Sequence, residues 1–347
     1  MSTPQEDLLR RLPKVDLHLH LDGSVRPQTM LELAQAHGIA LPASTVEGLL
    51  PHVRVPRDCG SLARFLATFE VIYPVLRFPD AMARVARELC EDAARENILY
   101  FETRFAPVLQ EAPGFPIEAV LESVLFGLDE GMAATGVKAQ VILCGIRTLP
   151  PADTLRTVEL AIRYRDRGVC GVDLAGDEAI APIGPHAAAF ALARKADLPI
   201  TIHAGEAAGA ESVREAVEVH GAKRIGHGTR AARDLKLLDD LAFRGVSIEV
   251  CLTSNAQTGA VRSVAEHPLP KFLDRGIPAT LNTDDPAVSG ITLTHEYGVA
   301  MEALGFELPD LEGLGRNAAR VAFLSAPERK RLEARIAEGY PAPEGEE

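Results

Sequence analysis

Short apolar runs alternate with amphipathic segments along almost the whole chain. Eight of these runs are four to eight residues long, and their near-continuous apolar character is typical of strands in a parallel sheet covered by helices. The segments between them repeat apolar positions at helical spacing. The predicted strands are residues 15–20, 99–105, 138–145, 169–174, 199–203, 224–227, 246–251 and 278–284. The predicted helices are residues 27–37, 61–76, 80–96, 117–134, 153–167, 185–196, 210–220, 232–244, 268–275, 292–304 and 311–324.

Eight strands that alternate with helices predict an α/β fold, a single (β/α)8 TIM-type barrel. Extra helices are inserted after strand one and at the C-terminus. We expect residues 1–340 to form one domain, with residues 44–96 as a helical lid insertion within it and residues 341–347 as an acidic tail. The alternative is a doubly wound open sheet, which needs a Gly-x-Gly-x-x-Gly turn after strand one. The sequence His-Leu-Asp-Gly-Ser stands there instead.

Composition narrows the possible partners. The 347 residues carry 36 basic and 49 acidic side chains, a net charge of -13, which argues against nucleic acid and against an anionic membrane surface. The start of the chain lacks a signal-like apolar core, and no apolar run approaches the ~18 residues of a membrane span. The five cysteines are scattered without a Cys-x-x-Cys pair, which indicates reduced thiols in a cytoplasmic protein. The oligomeric state is left open.

Chemically capable side chains collect where the predicted strands end. His18 and His20 occupy alternate positions of strand one, so both imidazoles lie on one face, and Asp22 continues that face before Gly23. The carboxyl ends of barrel strands are where barrel enzymes build their sites. The other polar residues in or near strand ends are Asp173, His203, Glu206, His227, Ser254, Asn255, Asp284 and Asp285, and Gly176 lies just beyond strand four.

Three imidazoles and one carboxylate form a metal-ligand set. His18, His20, His203 and a strand-eight aspartate suit Zn²⁺ with a further position for water. Zinc lowers the pKa of such a water, and His227 can orient or deprotonate it. Glu206, close to a ligand on the same loop, can serve as a general acid. Strand four contains no lysine to be carbamylated as a bridge between two metals, which favours a single ion.

Six motifs together resemble the adenosine deaminase family of metal-dependent purine deaminases. They occur in the family's order, span roughly residues 11–326, and are highly specific as a set. The motifs are KVDLHLHLDG (14–23), DLAGDE (173–178), HAGE (203–206), RIGHG (224–228), SNAQTG (254–259) and NTDDP (282–286).

The resemblance implies a function and a role for each matching residue. The chain would deaminate adenosine and 2′-deoxyadenosine to inosine and 2′-deoxyinosine, with hydroxide attacking C6 of the purine and ammonia leaving. One Zn²⁺ per chain would be held by His18, His20, His203 and Asp284. The catalytic residues would be Glu206, which protonates ring N1, His227, which positions the water, and Asp285, which accepts from the water and contacts N7. The substrate contacts would be His20, Asp22 (to the ribose 5′-hydroxyl), Gly176 (backbone N–H to N3) and Asp285.

Other functions stay open beside this one. The same chemistry could act on free adenine or on aminodeoxyfutalosine, another 6-aminopurine compound. Asp22 bears on that choice, since related adenine deaminases tend to carry glutamate there, and aspartate favours a nucleoside hydroxyl. A metal-dependent amide or ester hydrolase and a non-catalytic binding protein on this scaffold fit the motifs less well. The cytidine-editing zinc deaminases are excluded, because their Pro-Cys-x-x-Cys motif is absent.

The remaining polar and apolar signals have plainer interpretations. Four residues of the insertion recur at helical spacing, and either core packing or a cover over the ribose explains them: Leu62, Phe65, Leu66 and Phe69. Asp16 and Asp173 are expected to be structural, and Asp177 and Glu178 to begin a helix. Cys251 is interpreted as a buried thiol. Six histidines are assigned no chemistry, namely His37, His52, His186, His220, His267 and His295.

Overall fold

Eight parallel strands follow one another in chain order around a barrel. The computed structural model describes residues 3–341, so residues 342–347 of the predicted acidic tail lie outside the described residues. The strands are β1 (Lys14–His20), β2 (Ile98–Phe105), β3 (Lys138–Ile146), β4 (Val169–Ala175), β5 (Thr201–Ala204), β6 (Arg224–His227), β7 (Ser247–Val250) and β8 (Ala279–Leu281).

The strands form two four-stranded arcs, β1 to β4 and β5 to β8, and backbone hydrogen bonds join the arcs at both seams. At one seam the Val172 N–H donates to the Pro199 carbonyl at 3.0 Å. At the other, the His20 N–H donates to the Asp284 carbonyl at 2.7 Å, and the Asp284 N–H donates to the His18 carbonyl at 2.8 Å. The predicted (β/α)8 barrel is therefore confirmed.

Helices surround the barrel and cover the apolar outer faces of its strands. Among residues 3–341 they are α1 (Pro4–Arg11), α2 (Pro27–His37), α3 (Val46–Val53), α4 (Leu62–Ala67), α5 (Phe69–Ile72), α6 (Pro79–Arg95), α7 (Pro107–Gln110), α8 (Ile117–Thr135) and α9 (Pro151–Tyr164). They continue with α10 (Ala187–Lys195), α11 (Ala210–Glu218), α12 (Leu235–Arg244), α13 (Leu252–Gln257), α14 (Leu269–Asp274), α15 (Pro286–Ser289), α16 (Leu293–Leu304), α17 (Leu308–Val321) and α18 (Ala326–Glu338). No helix of this part of the chain is both long and apolar enough to traverse a bilayer.

Strand β8 ends earlier than the predicted residue 284 because a side chain replaces the sheet ladder. The Leu17 N–H donates to Asn282 Oδ1 at 3.0 Å, and Asn282 Nδ2 donates to the Val250 carbonyl at 3.1 Å. The backbone then turns sharply, and Asp284 takes a φ of 62°, outside the strand region. This turn directs the Asp284 side chain towards the barrel axis at the end of β1.

The predicted insertion, residues 44–96, folds into α3 to α6 with short turns between them. It is tied to the loops that follow the last two strands. The Val55 N–H donates to the Val288 carbonyl at 2.9 Å, and the Ser61 N–H donates to the Gln257 carbonyl at 3.3 Å. These bonds hold α4 and α5 beside the carboxyl ends of the strands.

Paired charges fill part of the barrel interior. Arg104 donates to Asp173 at 2.8 Å and to Glu249 at 2.9 Å. Arg224 donates to Glu249 at 2.6 Å and to Glu102 at 2.5 Å. These five side chains, named here the interior ion network, are at most 1% exposed. Buried charges are tolerated when each is paired in this way.

Candidate active site

Four side chains converge at the carboxyl end of the barrel: His18, His20, His203 and Asp284. One donor atom from each lies within 4.8 Å of all the others. Asp284 Oδ1 is 3.2 Å from His18 Nε2 and 3.4 Å from His20 Nε2. His20 Nε2 is 3.3 Å from His203 Nε2. The structure thus brings together the four residues that the sequence predicts as metal ligands.

The spacing of these donor atoms fits a single metal ion. Ligand atoms that bind one Zn²⁺ ion with bonds of about 2.0–2.1 Å lie about 3–4 Å apart. The three contacts just given, 3.2 to 3.4 Å, fall within that range. His18 Nε2 is buried and has no hydrogen-bond partner in the protein, as a nitrogen reserved for a metal would be.

Carboxylates orient two of the imidazoles. His18 Nδ1 donates to Glu249 Oε2 at 2.8 Å, and His203 Nδ1 lies 2.9 Å from Asp173 Oδ2. A carboxylate only accepts, so each Nδ1 carries the proton and each Nε2 keeps a lone pair for a metal. Burial lowers the pKa of His203 to about 4, which keeps its ring in the neutral, ligating form.

Glu206 lies on the loop after β5, and its backbone is held by another carboxylate. Glu178 accepts hydrogen bonds from four consecutive backbone N–H groups, those of residues 205–208, at 2.8 to 2.9 Å. It also accepts from Ser212 Oγ. This loop buries the Glu206 side chain, and the burial raises the pKa of its carboxyl group. Burial therefore favours the protonated form of Glu206, the form that can donate a proton.

His227 ends β6 and faces the same centre. Its Nε2 is 3.8 Å from Glu206 Oε2, and its ring centroid is 4.8 Å from that of His18. The residue has a φ of 64°, a strained conformation for a side chain other than glycine. Asn255 contacts its Nδ1 at 2.8 Å from the other side.

Asp285 shows how closely the site is packed. A Cβ atom added at Gly23 would lie 1.8 Å from Asp285 Oδ1, so only glycine fits at position 23. That oxygen is buried without a protein partner. Burial, together with the neighbouring Asp284 and Asp22 carboxylates, raises the pKa of Asp285 well above its ordinary value.

A cavity of about 250 Å³ opens above these groups. Its wall presents Asp22, whose Oδ1 is buried without a partner and whose carboxylate is hydrogen bonded to Tyr73 of the insertion. Gly176 also lines the cavity, with a φ of 101°, which only glycine adopts freely. The apolar wall consists of Leu62, Phe65, Leu66, Phe69, Ala106, Leu109, Cys144, Ile146, Leu149 and Ala175. All nine predicted site residues contribute to this region, eight of them to the cavity wall and His18 directly behind it.

Residues 13–339 match the sequence model of the adenosine deaminase family. The adenosine deaminase of Erwinia tasmaniensis is 44% identical over 328 residues, which are 94% of this chain and 98% of that protein. The chain belongs to the adenosine deaminase family. As a member of this family it is a hydrolytic purine deaminase.

Solved structures of related deaminases share the fold. The crystal structure of adenine deaminase from Arthrobacter aurescens has a TM-score of 0.88 at 27% identity, covering 94% of this chain and 98% of that one. The N6-methyl-AMP deaminase from Arabidopsis thaliana has a TM-score of 0.84 at 28% identity, covering 98% and 100%. Substrates of adenosine deaminase relatives thus differ while the barrel is kept, so the substrate must be argued from the cavity.

The sequence alone left some functional residues unassigned or wrongly assigned. Asp177 and Glu178 do not begin a helix as predicted, because the chain turns after β4 and Glu178 instead binds the loop that carries Glu206. Glu249 was missed, since a carboxylate inside an apolar strand gives no local sign of its partner. Thr258, which the sequence analysis gave no role of its own, lines the cavity.

Proposed function

We propose that this chain is a zinc-dependent adenosine deaminase that converts adenosine and 2′-deoxyadenosine, with water, to inosine or 2′-deoxyinosine and ammonia. One observation carries the proposal. The cavity combines metal-ligand donors with a buried, unpartnered oxygen of Asp22, and the described residues that line it include neither lysine nor arginine. A neutral purine nucleoside suits such a cavity better than a nucleotide does.

The metal chemistry follows from the donor set. His18, His20, His203 and Asp284 would hold one Zn²⁺ ion, and β4 offers no lysine for a second. Bound zinc lowers the pKa of a water molecule and so supplies a nucleophile near neutral pH.

The proton chemistry belongs to the chain's own residues. Glu206, whose pKa is raised by burial, donates its proton to ring N1, which makes C6 more electrophilic. His227 holds the attacking water against the face of the ring. Asp285, whose pKa is raised by burial and by its carboxylate neighbours, donates to N7 in its protonated form, and the Gly176 N–H donates to N3. These donors stabilise the charge that develops as the aromatic ring is broken.

The sugar end of the cavity supports a nucleoside substrate. Tyr73 engages the Asp22 carboxylate, and Oδ1 remains as an acceptor for a hydroxyl group. Free adenine lacks a hydroxyl and would leave this buried oxygen unpaired. Sites built to bind a substrate hydroxyl reject analogues without it by about 10⁴-fold. A phosphate would meet Asp22 and four further carboxylates with no cation among the described lining residues.

The four insertion residues Leu62, Phe65, Leu66 and Phe69 all line this cavity. We propose that they cover the ribose and exclude water from the reacting centre, with residues 44–96 acting as the lid of a single-domain enzyme. Phe65 and Phe69 are also buried, so the core-packing interpretation holds for them in addition.

The experiment is a substrate comparison with purified, zinc-loaded protein. The values of kcat/KM are measured for adenosine, 2′-deoxyadenosine, adenine, aminodeoxyfutalosine, AMP and N6-methyl-AMP from the change in purine absorbance. We expect the two nucleosides to exceed adenine and both nucleotides by at least about 10³-fold. A preference for adenine or for a nucleotide would overturn the substrate assignment, and no deamination of any purine would overturn the function.

A further inference from the structure

Three buried side chains stand in a line behind the catalytic centre. His267 Nε2 is 3.1 Å from Asn255 Oδ1, and Asn255 Nδ2 is 2.8 Å from His227 Nδ1. All three residues are at most 4% exposed. The sequence analysis assigned no chemistry to His267 and gave Asn255 only a place near the end of a strand.

A backbone N–H at the far end of this line fixes its polarity, that is, which atom donates and which accepts in each hydrogen bond. Leu269 is the first residue of α14, where a helix leaves its N–H groups without internal partners. The Leu269 N–H donates to His267 Nδ1 at 3.0 Å. A backbone amide can only donate, so Nδ1 of His267 is an acceptor. Burial lowers the pKa of His267 to about 3, so its ring is neutral and carries its one proton on Nε2.

The polarity passes through the amide of Asn255. The Nε2–H of His267 needs an acceptor, which places the Oδ1 atom of Asn255 on that side and its NH₂ group on the other. The NH₂ group donates to Nδ1 of His227. Nδ1 of His227 is therefore an acceptor too, and the ring carries its proton on Nε2, the nitrogen that faces Glu206.

The opposite direction of donation along the line ends with two donors facing each other. If His227 carried a proton on Nδ1, the Asn255 amide would have to rotate and present its NH₂ group to His267. His267 would then need its proton on Nδ1, directly against the Leu269 N–H. Two buried donors facing each other are strongly disfavoured, so the helix N-terminus sets the tautomer at the catalytic centre.

We propose that His267 and Asn255 are positioning residues that keep the proton of His227 on Nε2. His227 then acts on the reacting water as a hydrogen-bond donor that orients the water and stabilises its developing charge, and not as the base that removes its proton. That proton would pass to the Glu206 carboxylate, which has given its own proton to N1, and the proton of the added hydroxyl would leave with the C6 amine as ammonia. This choice between two roles was open from the sequence. The effect on catalysis rests on the proposed function, whereas the tautomer itself does not.

The decisive variant is Asn255→Asp, which keeps the shape of the side chain and replaces its donor by an acceptor. A carboxylate can accept from His267 Nε2–H and from His227 Nδ1–H at once, so the His227 proton moves to Nδ1. We expect kcat to fall by about 10²-fold or more, with KM within a few-fold and one zinc per chain retained. Two-bond ¹H–¹⁵N spectra of histidine-labelled protein, assigned with a His227→Gln variant, report the tautomer directly.

Each outcome of this experiment decides a separate point. If His227 carries its proton on Nδ1 in the variant while kcat stays near the wild-type value, the donor role is wrong. If the wild-type protein already carries the proton on Nδ1, the relay is wrong. The spectra need no turnover, so failure of the proposed function leaves the test of the tautomer intact.

A second pair of variants, at His267, tests the same proposal in case Asn255→Asp fails to fold. His267→Phe removes the donor to Asn255, which lets the amide rotate, and we expect both His227 tautomers and about a 10-fold lower kcat. His267→Gln retains an N–H donor and is expected to restore most of that loss. His220→Gln replaces another buried histidine, on the turn after α11, and serves as the matched control with unchanged tautomer and activity. Equal activity of His267→Phe and His267→Gln would contradict the relay.

Discussion

The barrel buries charge in two neighbouring regions that treat it in opposite ways. In the interior ion network each carboxylate meets a guanidinium, as Glu102 meets Arg224 at 2.5 Å. At the carboxyl end of the barrel around the cavity, named here the mouth, the buried atoms without a hydrogen-bond partner in the protein include His18 Nε2, Asp22 Oδ1 and Asp285 Oδ1. An unpaired buried polar group destabilises a fold by about 1–3 kcal/mol, so a ligand that pairs with these atoms recovers that free energy. The interior ion network offers a ligand few such atoms.

The two regions share side chains, and this sharing gives the mouth its geometry. Glu249 Oε2 accepts from His18 at 2.8 Å and from Arg104 at 2.9 Å. Asp173 Oδ2 lies 2.9 Å from His203 Nδ1 and accepts from Arg104 at 2.8 Å. The interior network thus holds the orientation of two imidazoles whose other nitrogens face the centre.

The largest expected effect comes from removing one of the proposed metal-binding side chains at the mouth. We expect Asp284→Ala to lose its metal and to lower kcat/KM by about 10⁴-fold or more, since a bound metal supplies several kcal/mol of transition-state stabilisation. Metal content after dialysis and turnover are measured together. Asp285→Asn, the neighbouring carboxylate, is the matched control and keeps its metal. Full zinc stoichiometry in Asp284→Ala would contradict the ligand assignment.

Glu206→Gln tests a mouth residue that does chemistry without holding metal. We expect one zinc per chain and a kcat lower by about 10³-fold, because the N1 proton donor is gone. The melting temperature should be unchanged or higher, since burial already disfavours the charge of this carboxyl group. Turnover close to that of the wild type would rule out the general-acid role.

Glu249→Gln tests the boundary between the two regions. The substitution leaves Arg104 and Arg224 short of one anion, which destabilises the fold by about 3–5 kcal/mol, and it weakens the hold on His18, which lowers metal affinity about 10–100-fold. Thr201→Val removes a neutral donor to the same carboxylate and is the control, with a loss of about 1 kcal/mol and unchanged metal affinity. Urea unfolding and metal titration measure both effects. Equal metal affinity in the two variants would show that the interior ion network does not orient His18 for metal binding.

Glu296 belongs to neither region, and its effect is the smallest and depends on pH. Burial raises the pKa of this carboxyl group from 4.5 to about 7. Between those values the folded protein keeps a proton that the unfolded chain releases, so the stability from this group falls as pH rises and is constant above about pH 7. We compare the free energy of unfolding of Glu296→Gln with that of the wild type by urea unfolding. The difference should favour the variant by about 2 kcal/mol more at pH 8 than at pH 5. A difference that does not change with pH would contradict the raised pKa.

Much of the site could be predicted because its residues carry local signals. The alternation of His18 and His20 on one strand needs no knowledge of the rest of the fold, and the strand count brings His203 and Asp284 to the same end of a barrel. The pairing partners could not be predicted in this way. Arg104 and Glu249 are 145 residues apart, and a charged residue within an apolar strand does not say which strand it faces.

Among the helices that the sequence analysis missed, α18 carried a readable signal. Ser325 and Glu328 form a capping box at the start of α18, a pattern that predicts a helix N-terminus. Helix α1 is short, polar and capped by Thr3, and its stability comes from packing Leu9 into the core, which composition alone does not reveal.

The seam between β1 and the β8 turn has a consequence for how the protein is made. Asp16 and Thr283, which are 267 residues apart, meet there through a 2.6 Å hydrogen bond, one turn away from the metal ligands. A growing chain cannot assemble these ligands until its last strand has been synthesised and has closed on the first, a contact of very long loop length. Under the proposed ligand assignment, acquisition of a tightly bound metal ion reports completion of the barrel, and a chain truncated before residue 279 should emerge without it.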